Sequence, residues 1–232
     1  MKLLITGVSS GIGLGVAQSL HELGHEVIGI DRQPVQDQRI AWHELDLSCL
    51  DQVSDYVDHS LETYDALIYC AGIREICNPV DLSLDQWRKT MDVNVNACFL
   101  LAQALIKRAI HDSCALNIVN IASISGLQVE ADRAAYVTSK FALIGLTRQL
   151  AFQFGNQGIR SNAIAPGIIE TPLTAEYFKN DTVIEKIKNA VPLGGWGQVH
   201  DIVPLVEICL NNQYMNGSVL VCDGGWTTGK SI

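Results

Sequence analysis

The chain has 232 residues, with 16 Lys and Arg against 25 Asp and Glu, for a net charge of -9. That balance argues against nucleic acid and anionic membrane surfaces as partners, because both are held by clustered positive charge. Seven cysteines without a CxxC pair, in a chain long enough to bury a core without crosslinks, point to reduced thiols in a cytoplasmic protein.

In chain order, the apolar run from Met1 stops at Thr6-Gly7. It predicts a strand over Leu3–Thr6 rather than a leader, and no later stretch reads as a membrane span. Gly7-Val8-Ser9-Ser10-Gly11-Ile12-Gly13 follows and leads into a helix over Gly11–Leu23. Between a first strand and a first helix, such glycines let the backbone approach a pyrophosphate seated on the helix N-terminal N–H groups. The candidate cofactor contacts here are Gly7, Ser9, Ser10, Gly11, Ile12 and Gly13.

Two other patterns overlap this region. Gly7-Val8-Ser9-Ser10-Gly11 fits the Gly-x-Ser-x-Gly of serine hydrolases, but that elbow normally sits midway through a sheet, and phosphate explains the glycines better. His21-Glu22-Leu23-Gly24-His25 fits the zinc pattern HExxH. There Gly24 is placed to end the helix and His25 leads into the next strand, so the imidazoles do not share a helix face, and no metal is expected.

The second strand, Glu26–Ile30, runs into Asp31. A carboxylate at this place binds the adenosine ribose hydroxyls and repels a 2′-phosphate, which predicts NAD over NADP. Arg32 pulls the other way, since a guanidinium suits that phosphate. The chain between Asp31 and Ala41 is too short for a crossover helix, so a loop or single turn is expected.

Strands are predicted over Ala41–Leu45, Ala66–Cys70, Ala115–Ile121, Arg160–Ile164 and Ser218–Cys222. Helices are predicted over Cys49–Thr63, Gln86–His111, Ala134–Phe154 and Asp201–Leu210. This alternation predicts α/β architecture: one domain over residues 1–232, a doubly wound parallel seven-stranded sheet with helices on both faces.

Tyr136 and Lys140 are four residues apart on the helix Ala134–Phe154, so they share one face. A phenol is a weak acid near neutral pH, and an ammonium beside it is expected to lower its pKa and make it a usable acid or base.

Thr6-Gly7-x-x-x-Gly11-x-Gly13 with Tyr136-x-x-x-Lys140 resembles the short-chain dehydrogenase/reductase family, over nearly the whole chain. The resemblance implies a Rossmann fold and an NAD-dependent alcohol–ketone oxidoreductase with Asn94, Ser123, Tyr136 and Lys140 as catalytic residues. Tyr136 would exchange the proton, Ser123 would position the substrate oxygen, and Asn94 would hold a water linking Lys140 to solvent. Asp46 and Leu47 resemble the family's adenine contact, and Ala71-Gly72 the end of its Asn-Asn-Ala-Gly segment. Tyr69-Cys70 stands in place of the two asparagines. Cys70, Ala71, Gly72, Tyr136 and Lys140 complete the central cofactor contacts. Pro166, Gly167, Ile169 and Thr171 resemble the segment that holds the nicotinamide amide.

Specificity is expected from three loops: residues 73–79, 124–133 and 171–195. Residues 174–190 mix apolar and charged side chains, as a helical lid or a packed amphipathic helix would. Arg74 and Arg133 are candidates for a substrate carboxylate. Residues 70–74 and the short segment after Asp31 are similar to dihydrodiol dehydrogenases, which implies a small secondary alcohol, cyclic or a diol. An NADPH-dependent 3-oxoacyl reductase and a catalytically silent dinucleotide sensor are the alternatives. The broad apolar faces of Gln86–His111 and Ala134–Phe154 pair across subunits in the family, implying a homo-oligomer, dimer or tetramer.

Overall fold

The computed structural model describes residues 1–229. The first half of the sheet is built by β1 (Lys2–Thr6), β2 (Glu26–Asp31), β3 (Ala41–Glu44) and β4 (Ala66–Tyr69). β5 (Leu116–Ile121), β6 (Ile159–Pro166) and β7 (Val219–Cys222) complete it. All neighbours run parallel, in the order β3-β2-β1-β4-β5-β6-β7. The order reverses at β1 and β4, which opens a crevice at their carboxyl ends.

Both faces are covered, and the strands alternate accordingly. Leu4, Leu67 and Ile118 enter one core, while Leu3, Ile5, Ile68, Val119 and Ile121 enter the other. Period-two projection from a sheet buried on both sides accounts for strands that read as continuous apolar runs. α1 (Gly11–Glu22) and α7 (Val199–Asn211) cover one face. α2 (Leu50–His59), α4 (Ala97–Asp112) and α5 (Ala134–Phe154) cover the other. Between Asp31 and Ala41 there is no helix, as the chain length required.

Three elements differ from expectation. α2 stops at His59 rather than Thr63, because Leu61 N–H closes back on Tyr56 O at 2.8 Å and Leu61 and Tyr64 turn into the core. The helix expected over Gln86–His111 begins at Leu84, where Ser83 and Gln86 form a capping box, and is interrupted. α3 (Leu84–Met91) passes into a π-helical turn, Asp92–Asn96, before α4 resumes. Residues 174–190 split at Asn180, whose Oδ1 accepts from Thr182 N–H, into a 3₁₀ segment (Ala175–Lys179) and α6 (Asp181–Ala190).

By length and composition alone, the helical stretch Leu84–Asp112 is apolar enough to cross a bilayer, contrary to expectation. Its apolar residues Ala97, Leu101 and Leu105 lie inside the fold, which is the packing of a core helix. α1 ends before His25, and Gly24 adopts φ +82, so the HExxH histidines do not share a helix.

Candidate active site

The crevice divides into two connected hollows. The first, of about 300 Å³, is lined by Gly7, Ser9, Ser10, Gly11, Ile12, Gly13, Asp31, Arg32, Asp46, Leu47, Cys70, Ala71, Gly72 and Thr171 among others. The second, of about 340 Å³, contains Tyr136, Lys140, Pro166, Gly167 and Ile169, and shares Ile12, Cys70, Gly72 and Thr171 with the first. Every candidate cofactor contact therefore lines one continuous space.

The glycine loop fits a dinucleotide. Gly7 adopts φ +75, and a Cβ there would lie 3.0 Å from the backbone of Ala71. A Cβ on Gly13 would lie 2.1 Å from Gly7 O, so the helix can approach the strand only without a side chain. α1 has no side-chain cap and no acidic residue in its first turn, which leaves its N–H groups and dipole for an anion. Thr6 Oγ1 accepts from Cys70 N–H and Ala71 N–H, each at 3.1 Å, and so fixes the exit of β4 against the loop.

Asp31 closes the other end. Its Oδ2 accepts from Ser9 N–H at 2.9 Å and its Oδ1 from Gln33 N–H at 3.0 Å. Asp46 Oδ1 accepts from the backbone and hydroxyl of Ser48, at 2.9 and 2.8 Å.

In the second hollow, Tyr136 and Lys140 are both buried on α5, at 8% and 3% exposure. Lys140 Nζ donates to Ile121 O at 2.9 Å and stands 5.7 Å from the centre of the Tyr136 ring. Burial pushes the ammonium down to about 8. Burial also raises the Tyr136 phenol, against lowering by the Ser123 hydroxyl and by the Arg74 and Arg133 charges. The expected lowering by Lys140 is thus not met in the protein alone, because desolvation of the phenolate outweighs its neighbours.

Ser123 follows β5 and its Oγ lies 3.2 Å from Ser125 Oγ. Asn94 lies in the π-helical turn and is fully buried. Its Nδ2 donates to Ile73 O and Ser139 Oγ, both at 2.9 Å, and its Oδ1 accepts from Ile73 N–H at 2.8 Å. In this structure the amide ties the loop after β4 to α5. Neither Asn94 nor Ser123 is among the residues lining the hollows, but the Ser123 hydroxyl is hydrogen-bonded to Tyr136, which is, while Asn94 is fully buried.

Several contributors carry no role that the sequence assigns. Tyr69, in place of a family asparagine, is fully buried, and its hydroxyl donates to Val93 O at 2.5 Å in the π-helical turn. Ser139 holds Asn94, while Glu130, Tyr177, Lys186 and Trp226 line the second hollow. Their sequence signal was weak: Glu130 and Tyr177 fell inside expected specificity loops, with no spacing that tied them to Tyr136. α6 contributes Val183, Ile187 and Ala190 to the wall.

A family model described as enoyl-(acyl carrier protein) reductase matches residues 7–227. The 2-dehydro-3-deoxy-D-gluconate 5-dehydrogenase of Bacillus subtilis (strain 168) is 32% identical, covering 96% of this chain and 93% of its own. A 3-oxoacyl-(acyl-carrier-protein) reductase of Rickettsia prowazekii (strain Madrid E) is also 32% identical, over 96% of this chain and 95% of its own. A solved 4-hydroxyisoleucine dehydrogenase mutant, complexed with NADH and succinate, superposes with a TM-score of 0.95 and 39% identity over 100% of both chains.

Proposed function

The chain belongs to the short-chain dehydrogenase/reductase family and is an oxidoreductase acting on CH–OH groups with a nicotinamide dinucleotide, and from that premise we propose that it interconverts a secondary alcohol and its ketone using NAD(H), with Tyr136 as the general acid and base. What supports this reading most is the meeting of buried Tyr136 and Lys140 with the glycine-loop cleft in one continuous space. One domain then carries both binding and chemistry.

The dinucleotide, when bound, supplies or accepts the hydride. In reduction Tyr136 gives its proton to the ketone oxygen, and in oxidation it takes the hydroxyl proton. Burial favours the protonated phenol, which suits reduction near neutral pH. The Ser123 hydroxyl, which opposes that rise, positions the substrate oxygen. Lys140, fixed by Ile121 O, presents a poorly solvated charge to the same hollow. Asn94 holds the floor through Ile73 and Ser139.

Asp31 supports NAD, because its two backbone hydrogen bonds hold a carboxylate where a 2′-phosphate would sit. Arg32 lines the same cleft and favours a second reading, an NADPH-dependent 3-oxoacyl reductase like the Rickettsia relative. A silent dinucleotide sensor has no use for a desolvated Tyr–Lys pair. Seven free cysteines support a reducing, cytoplasmic setting. Phe99, Phe141 and Phe152, exposed at 42%, 46% and 87%, support a homo-oligomer in which a second copy covers them, and light scattering tests it.

Screening small alcohols and ketones by NADH absorbance tests the activity. Turnover with NADH favoured over NADPH is expected. No turnover across the panel overturns the activity, and NADPH preference overturns the cofactor assignment.

A further inference from the structure

The hollow around Tyr136 is rich in positive charge although the chain is acidic. Arg74, Arg133, Lys140 and Lys186 line it, against the single carboxylate of Glu130. That carboxylate is already engaged, since it accepts from the Arg133 guanidinium and from the Ser125 hydroxyl. Arg74 has no carboxylate partner among the described residues. Its Nη2 donates to Leu173 O at 2.9 Å, which leaves its other donors free for a ligand.

The two guanidiniums are held in place rather than left to solvent. Arg74 lies 4.6 Å, and Arg133 5.6 Å, from the centre of the Tyr177 ring. Tyr177 also accepts a hydrogen bond from Arg133 through its hydroxyl. The loops that carry the arginines are joined by Cys77 N–H donating to Asp132 O at 2.7 Å and by a bridge between Cys77 and Arg133. Cation–π contact and a planar donor fork preorganise such a site. An immobilised cation in a half-enclosed hollow costs solvation that an arriving anion recovers. The planar fork matches a carboxylate with two parallel hydrogen bonds.

We infer that Arg74 and Arg133, bridged by Tyr177, bind a carboxylate of the substrate, so that the protein acts on hydroxy acids and their oxo acids rather than on neutral alcohols or acyl thioesters. This rests on the oxidoreductase reading above. The hydroxyl carbon gives its hydride to the dinucleotide and the hydroxyl proton goes to Tyr136, while the carboxylate leaves unchanged. Arg74, Arg133 and Tyr136 line the same hollow, so one small substrate can present its carboxylate to the arginines and its hydroxyl to Tyr136.

The test compares 3-, 4- and 5-hydroxy acids with their methyl esters and with 3-hydroxyacyl thioesters, in wild type, Arg74→Ala and Arg74→Lys. Wild type should favour acid over ester in kcat/KM on the order of 100-fold. Arg74→Ala should collapse that ratio and Arg74→Lys should recover part of it. In parallel, with NADH present, succinate should raise the melting midpoint of wild type but not of Arg74→Ala, and neutral succinamide should raise neither. An acid-to-ester ratio near one, a ratio unmoved by Arg74→Ala, a thioester preference, or a succinate shift that survives Arg74→Ala overturns the inference. If no compound turns over, the oxidoreductase reading fails, and the succinate shift alone decides the carboxylate site.

Discussion

Asn94 grips Ile73 by both polar groups of its backbone, accepting from its N–H at 2.8 Å and donating to its carbonyl at 2.9 Å. Its second amide hydrogen goes to Ser139, one residue before Lys140. The loop after β4 is therefore fastened to the helix that carries the proton-transfer pair. Asn94→Ala should leave two backbone groups of Ile73 and the Ser139 hydroxyl short of a partner. A loss of about 1–3 kcal/mol in urea unfolding is expected, with a fall in kcat larger than any change in NADH affinity. Unchanged stability and turnover would dismiss this tie.

Tyr69 does for the π-helical turn what Asn94 does for the loop. Its hydroxyl donates to Val93 O from a fully buried position. Tyr69→Phe should keep the packing and orphan that carbonyl, at about 1–2 kcal/mol. For a chain of this size that lowers the melting midpoint by roughly 2–8 °C. A midpoint equal to wild type would show that the bond contributes nothing.

Lys140 carries a desolvation cost that depends on pH. Its folded pKa is about 8 against an ordinary 10.5, so between those values the unfolded chain binds more protons and stability rises with pH. The penalty is full below pH 8, at most about 3 kcal/mol, and is relieved towards pH 10.5. Relative to wild type, Lys140→Met should gain most at neutral pH and progressively less in the alkaline range. A stability difference that is flat across pH 7–10.5, followed by chemical denaturation, would contradict it.

Asp31 has two roles that separate by substitution. Asp31→Asn removes the charge but keeps an acceptor for Ser9 or Gln33 N–H, whereas Asp31→Ala removes both. Both should shift preference towards NADPH by about tenfold or more, which is about 1.4 kcal/mol. Only Asp31→Ala should also lower the melting midpoint. An unchanged ratio of kcat/KM for the two dinucleotides in both variants would remove Asp31 from cofactor choice.

Much of this architecture is legible in the residues. Leu3–Thr6 running into Gly7 and Gly13 states the first turn, because only glycine satisfies its close approach to Ala71 and to the helix. The spacing of Tyr136 and Lys140 states their shared face. Spacing carries no information about burial, however, and burial reverses the expected direction for the Tyr136 phenol. The π-helical turn is hidden for a similar reason. Its i→i+5 bonding leaves the apolar pattern of Gln86–His111 nearly intact, and the partner that braces it, Tyr69, lies on a distant strand. Arg133, Tyr177 and Arg74 meet only because three distant segments converge, so no local pattern reports their contact.

Proton transfer by Tyr136 in a nicotinamide-dependent reaction underlies the proposed function. It is tested most directly by Tyr136→Phe, assayed for turnover of whichever alcohol wild type oxidises and, separately, for NADH affinity by fluorescence titration. The expected result is a kcat lower by about 10²–10⁴-fold with NADH affinity within a few-fold of wild type. Turnover within tenfold of wild type, with NADH still bound, would contradict it.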